Sequence, residues 1–138
     1  MGALSFKKRF VKPVLAGLKR KKGGKRQSIR NFRKRPLLVG ETVYLYYAMR
    51  TKFCKKLGEG VIKSRAVIRI SELSICIYST AKKDEFDISC NYYTTKSKLN
   101  SFARADGFKD FEDMKAFWIA EHGKEGSPFP YVGHLYKW

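Results

Sequence analysis

The stretch Val43–Met49 reads VYLYYAM. Its aromatic and β-branched side chains suit a pleated, half-buried surface better than a helix, so it is assigned as a strand. Alternation puts Tyr44 and Tyr46 on one face and Val43, Leu45 and Tyr47 on the other, and one of those faces should be core. Working outward, Gly60–Ile70 (GVIKSRAVIRI) reads as the next strand, with Val67 and Arg69 opposed to Ile68 and Ile70. Leu73–Ser79 and Phe86–Thr94 follow as strands, and Tyr131–Trp138 closes the chain as another. Upstream, Leu4–Phe10 reads as a short strand. Val11–Gly17 reads as one or two helical turns, with Pro13 in the first turn and Gly17 as the stop. Lys25–Arg30 has strand-like residues. Near the end, Leu99–Ala105 reads as a short helix stopped by Gly107. Asp110 caps a second helix, Phe111–His122, with Asp113 as the capping-box partner. Phe111, Met114, Phe117 and Trp118 share one face of that helix. Five to seven strands with small helices near both ends predict a small α+β barrel rather than alternating βαβ units.

The 138 residues make one domain, long enough to bury a core, and the 43% apolar content is that of an ordinary globular chain. The charge is lopsided. Residues 1–60 hold eighteen Lys and Arg against two acids, and residues 61–138 hold twelve against ten. Charge of one sign gathered in one half repels itself, which a polyanion offsets. Nucleic acid is the first candidate, because Lys and Arg displace counterions from a phosphate backbone. A membrane surface is disfavoured, since the basic run has no apolar face at helical spacing.

Cys54, Cys76 and Cys90 are odd in number and widely spaced, with no CxxC. With only His122 and His134 to add, no metal site is read, no cofactor is implied, and a reducing, cytoplasmic setting is expected. FVKPVLAGL is too short and too interrupted by Lys12 and Pro13 for a secretory signal, and no run approaches the length of a membrane span.

The most biased segment is Lys19–Pro36, KRKKGGKRQSIRNFRKRP, which has ten basic residues and no acid. Lys19, Arg20, Lys21 and Lys22 form a loop broken by Gly23 and Gly24. Arg26, Arg30, Arg33, Lys34 and Arg35 surround or follow the strand-like QSIR. Two readings stand for such a run, a solvated flexible chain or a set of phosphate contacts. The second is preferred because both basic clusters flank that strand. Arg50, Lys52, Lys55 and Lys56 follow the aromatic strand and extend the phosphate-binding set. Tyr44 or Tyr46 on the open face would stack a base, although core packing serves most of these rings.

Four pieces in order resemble the ASCH family of PUA-like β-barrels: FVKPVLAG with KRQSIR; VGETVYLY with MRTKFCKKLGEG; ARADGFKDFEDM; and VGHLYKW. They span nearly the whole chain. GLKRKKGG lengthens the usual helix-to-strand loop, and residues 80–96 also look longer than in a minimal member. The family includes amidohydrolases of N4-acetylcytidine that use a lysine, a threonine and a glutamate, and members linked to binding or cutting single-stranded RNA. The resemblance assigns those positions to Lys25, Ser28 and Asp106. Serine for threonine keeps a hydroxyl. Aspartate for glutamate withdraws the carboxylate by one methylene, and a misplacement of about 1 Å costs on the order of a hundredfold in rate.

Three functions are therefore carried forward. The first is a module that binds RNA or single-stranded DNA, with a pocket for one unstacked base. The second is a hydrolase in which Ser28 attacks, neutral Lys25 accepts its proton and Asp106 orients or relays, acting on an acylated cytidine or on RNA. The third is a basic accessory protein for a nucleoprotein or acidic partner. Residues three apart on a straight strand face opposite sides, so Lys25 must lie at a bend to meet a ligand with Ser28. For Arg30, phosphate binding and cross-pairing with an acid are not separable from sequence.

Overall fold

A computed structural model describes residues 2–80, 88–123 and 126–138. Three strands make one sheet: β1 (Gly2–Phe6), β3 (Thr42–Tyr47) and β4 (Lys55–Val61), in the order β1-β3-β4, with β1 parallel and β4 antiparallel to β3. The other sheet runs β2-β8-β5-β6-β7 and is antiparallel throughout. Its strands are β2 (Gln27–Arg30), β5 (Ser64–Ile70), β6 (Ile75–Thr80), β7 (Ile88–Tyr93) and β8 (Tyr131–Lys137). The helices are α1 (Val11–Leu18), entered through a 3-10 turn at Lys8–Phe10, then α2 (Lys96–Ala105) and α3 (Phe111–His122).

The class is α+β. Strand pairing leaves the two sheets separate, so the closed barrel expected from sequence is not what the ladders make. The strands number eight among the described residues, one more than the upper expectation. Gly60–Ile70 is not one strand: the chain ends β4, bends at Ile62 and Lys63, and starts β5 in the other sheet. Ile62 N–H donates to Glu41 O (2.9 Å) and Lys63 N–H to Lys137 O (2.7 Å), so the bend stitches one side of the two sheets together.

At the opposite side, β1 and β2 share no ladder, and arginines bridge the gap. Arg30 Nη2 donates to Ser5 O (2.8 Å) and Arg33 Nη2 to Ala3 O (3.1 Å). These carbonyls are two residues apart on the outer edge of β1, where a further strand would otherwise have bonded.

The alternation read from VYLYYAM holds through Tyr46, while Tyr47, expected with Val43 and Leu45, is only half-buried. Val43 and Leu45 are fully buried, and with Leu4, Ile68, Ile70 and Leu135 they form the core between the sheets. Burial of each such side chain is worth about 1.5–3 kcal/mol. Tyr44 and Tyr46 lie on the outer face, half-buried. The helix Phe111–His122 starts as its sequence predicts: Asp113 N–H donates to Asp110 Oδ1 (2.8 Å). Asp113 itself accepts from Lys109 N–H (3.0 Å), which varies the expected reciprocal box. Phe111, Met114 and Trp118 are buried, while Phe117 is partly so.

The cysteine reading is corrected. Cys76 on β6 and Cys90 on β7 form a disulfide across diagonal register positions, since Cys76 opposes Tyr92 and Cys90 opposes Tyr78. Cys54 is free and exposed. The pairing removes the argument from unpaired thiols for a reducing compartment. The first two residues of the expected strand Phe86–Thr94, and residues 81–87 of the long segment 80–96, lie outside the described residues. No helix among the described residues is long and apolar enough to cross a membrane.

Candidate functional site

Lys25 is the residue whose place the fold decides most sharply. It precedes β2 rather than lying on it, as the facing problem required. The cause is a close backbone crossing. Lys25 N–H donates to Pro13 O in α1 (2.8 Å). A Cβ on Gly17 would sit 2.2 Å from Lys25 O, and one on Gly24 would sit 2.4 Å from Gly17 N. Only glycines let the chain turn under α1 this tightly, and the turn sends the Lys25 side chain inward. Lys25 is 3% exposed, alone among the ten cations of Lys19–Pro36 in being buried.

Asp106 meets it from the far side of the fold. It ends α2, and Gly107 follows at φ +93°. Lys25 Nζ donates to Asp106 Oδ1 (3.1 Å) and also to the backbone carbonyl of Asp106. A carboxylate at a helix C-terminus is unfavourable by itself; an ammonium bound to both the carboxylate and the terminal carbonyl reverses that. Gly107 leaves room for this approach, since a Cβ there would lie 3.1 Å from Lys25 Cδ. Asp106 is also 3% exposed. Burial lowers the Lys25 pKa below the ordinary lysine value, the attraction of Asp106 opposes that, and the charges of Arg30 and Arg9 add to it. Burial raises the Asp106 pKa, and Lys25 opposes the rise.

Ser28 and Arg30 lie on one face of β2. Arg30 Nε donates to Ser28 Oγ (2.8 Å), and the guanidinium rests over the Phe6 ring at 5.0 Å. No acidic side chain forms a salt bridge with Arg30 among the described residues, so cross-pairing with an acid is set aside. Burial, followed by the charge of Arg33, pulls its pKa down to about 10. Lys25, Ser28, Arg30 and Asp106 all line one cavity of about 270 Å³. Ser5 and Phe6 of β1 and Ser28, Ile29 and Arg30 of β2 line it, so it lies where β1 and β2 share no ladder.

The cavity walls are aromatic. Phe10 lies 4.8 Å under the Lys25 ammonium and packs edge-on against Phe108 at 5.3 Å. Across from them Trp118 stacks with His122 (4.7 Å) and lies against Tyr131 (4.3 Å), whose hydroxyl donates to Asn31 Oδ1 (2.6 Å). Burial pushes the Tyr131 pKa up to about 12, keeping it a neutral donor. The Lys7–Glu121 ion pair, with Lys7 directly after β1, ties that end of the strand to α3 beside the cavity. Sequence reasoning missed this wall. No local pattern ties Phe10, Trp118 and Tyr131 to Lys25.

The other predicted residues lie outside the cavity. Lys19, Arg20, Lys21 and Lys22 are exposed on a hydrogen-bonded turn: Arg20 N–H reaches Gly17 O (3.0 Å) and Lys21 N–H reaches Ala16 O (2.9 Å). Arg26 is half-buried and lines a separate open groove with Lys63 and Lys137. Arg33, Lys34 and Arg35 are exposed beside the cavity side of β2. Arg50, Lys52, Lys55 and Lys56 are exposed on and after the β3–β4 loop, which hangs from Ser5 Oγ through Met49 N–H (3.1 Å). Lys56 covers the Tyr44 ring at 4.8 Å and pairs with Glu59, so that ring is not open as a platform. Among the described residues no group of three or more His, Cys, Asp or Glu is placed to hold a metal ion.

Compared with family models, with curated proteins and with solved structures, the chain finds no match.

Proposed function

We propose that this protein binds single-stranded nucleic acid, RNA first, and takes one unstacked base into the Lys25–Asp106 cavity. The observation that carries the reading is the convergence of Lys25, Ser28, Arg30 and Asp106 in one aromatic-walled cavity beside exposed Arg33, Lys34 and Arg35. An aromatic wall suits a base of any sequence, and fixed donors and acceptors read its edge. A duplex cannot offer a base to such a cavity without extruding it. With this goes a PUA-like reading of the fold, in which the two sheets share one core and the β1–β2 gap is the opened seam of an ASCH-type barrel. The four sequence pieces support it.

The test is binding of a labelled pyrimidine hexaribonucleotide, with free nucleoside as competitor. Ser28→Ala and Arg30→Gln should weaken binding about tenfold to a hundredfold, as loss of charge-assisted hydrogen bonds does. Equal affinity in both variants, with folding intact, sinks the pocket.

A buried lysine with a lowered pKa beside a serine favours one second reading, amide hydrolysis of an N4-acylated cytidine. Ser28 Oγ would bond to the acyl carbon as its proton passes to neutral Lys25. The amine would leave with that proton, and water would then release the acid and restore Ser28. Binding ranks first because the hydrogen bonds run from Lys25 to Asp106 and from Arg30 to Ser28, with none between Lys25 and Ser28 among the described residues. The pH dependence is signed. Only neutral Lys25 accepts a proton, so the rate should rise with pH through a midpoint below 10.5. Asp106→Asn removes the attraction that raises the lysine pKa and should shift the midpoint lower; Arg30→Gln should shift it higher. A pH–rate profile with N4-acetylcytidine, read as cytidine released, checks this, and a pH-independent rate or no product rejects it.

A further inference from the structure

We infer that Phe32 is the stacking platform for the nucleotide next to the one held in the cavity, so that the ligand is a strand of at least two nucleotides rather than a free nucleoside. This rests on the base-binding reading above. Phe32 directly follows Asn31, whose amide lines the cavity through its bond with Tyr131. It is 53% exposed.

The segment is held, not trailing. The Phe32 ring meets the His134 ring at 4.7 Å and 87°, an edge-on contact that uses at most one face of Phe32. His134 Nδ1 is hydrogen-bonded to the buried Tyr136 hydroxyl (3.3 Å), and Arg33 is tied to Ala3 O. Leu37, which ends the basic run, is buried. Phe32 is therefore pinned on both flanks with a ring face left to solvent.

Two other rings beside cations, Phe53 and Tyr44, differ. Lys52 lies over Phe53 at 5.2 Å and Lys56 over Tyr44 at 4.8 Å. Among the described residues no cation covers Phe32, although Arg33, Lys34 and Arg35 follow it directly. A bare ring next to a base-sized cavity, followed by three exposed cations, is the arrangement that single-strand binders use: stacking for the base and charge for the phosphates.

The experiment compares wild type, Phe32→Ala and Phe32→Trp against a pyrimidine hexaribonucleotide and against cytidine, with a melting curve for each variant. Phe32→Ala should weaken hexamer binding about tenfold and leave cytidine binding unchanged. Phe32→Trp should keep hexamer affinity, and the introduced indole should lose fluorescence on binding. Hexamer affinity unchanged in Phe32→Ala overturns the platform, as does an equal loss for hexamer and cytidine. If wild type binds neither ligand, the cavity reading fails and takes this inference with it. If Ser28→Ala and Arg30→Gln weaken the hexamer while Phe32→Ala does not, only the platform falls.

Discussion

Lys25→Met should cost about 3–5 kcal/mol of folding stability at pH 7, a large share of what a domain of this size has. The substitution keeps the stem that packs on Phe10 but removes the one cation bonded to Asp106 among the described residues. Asp106 is then a buried carboxylate with no ammonium, and its raised pKa climbs further. The folded state holds that proton more tightly than the unfolded chain, whose carboxyl titrates near 3.8. Folded protein therefore binds more protons, and stability falls as pH rises from about 4 up to the folded-state pKa. The deficit against wild type should be small near pH 4 and grow toward neutrality. The double variant Lys25→Met, Asp106→Asn removes the stranded charge and should recover most of the loss. Urea denaturation at several pH values measures this. A single variant within about 1 kcal/mol of wild type at pH 7 would mean that the pair is not a dry ion pair.

Affinity for single-stranded RNA should fall about a hundredfold between about 50 and 200 mM salt. About five phosphate contacts give a slope of about −3.5 in log K against log salt, at about 0.7 per contact on a single strand. Exposed cations available to phosphates are Arg33, Lys34 and Arg35 after β2, and Lys19–Lys22 on the turn after α1. Changing Arg33, Lys34 and Arg35 together to glutamine should flatten the slope by about two. Changing Lys19–Lys22 distinguishes a second phosphate track, which flattens the slope again, from a partner site used only by the accessory reading, which leaves it alone. A wild-type slope near zero would remove nucleic acid as the partner. Fluorescence anisotropy across salt reads all of these.

Much of the secondary structure was legible because it rests on local patterns. VYLYYAM, SRAVIRI and YVGHLYKW alternate, and Asp110 caps where a capping residue should. The strand Lys55–Val61 was missed for a physical reason. KKLGEGV pairs only with β3 at a sheet edge and buries no residue fully, so its sequence carries no alternation to find. Its conformation is imposed by its partner. The disulfide escaped for a related reason, since the register of β6 on β7 brings Cys76 to Cys90 and sequence spacing does not encode register.

The site divides in the same way. Lys25, Ser28 and Asp106 entered through a resemblance, and the fold brings all three to one cavity. Nothing local distinguishes Lys25 from the nine other cations around it. Gly17 and Gly24 do so by letting two backbones touch. For Arg30 the sequence leaves phosphate and acid open, and the fold bonds it to Ser28 Oγ and Ser5 O instead of to an acidic side chain among the described residues.

Sequence by itself determined the strand-rich α+β character, the Asp110 cap and the gathering of positive charge in the first half, because periodicity, capping and net charge are properties of neighbouring residues. Tertiary structure alone decided which lysine is buried, which acid it meets 81 positions away, which rings wall the cavity and that Phe32 beside it is exposed. Those depend on strand register and on close approaches between distant segments, where burial and pairing change what an identical side chain does.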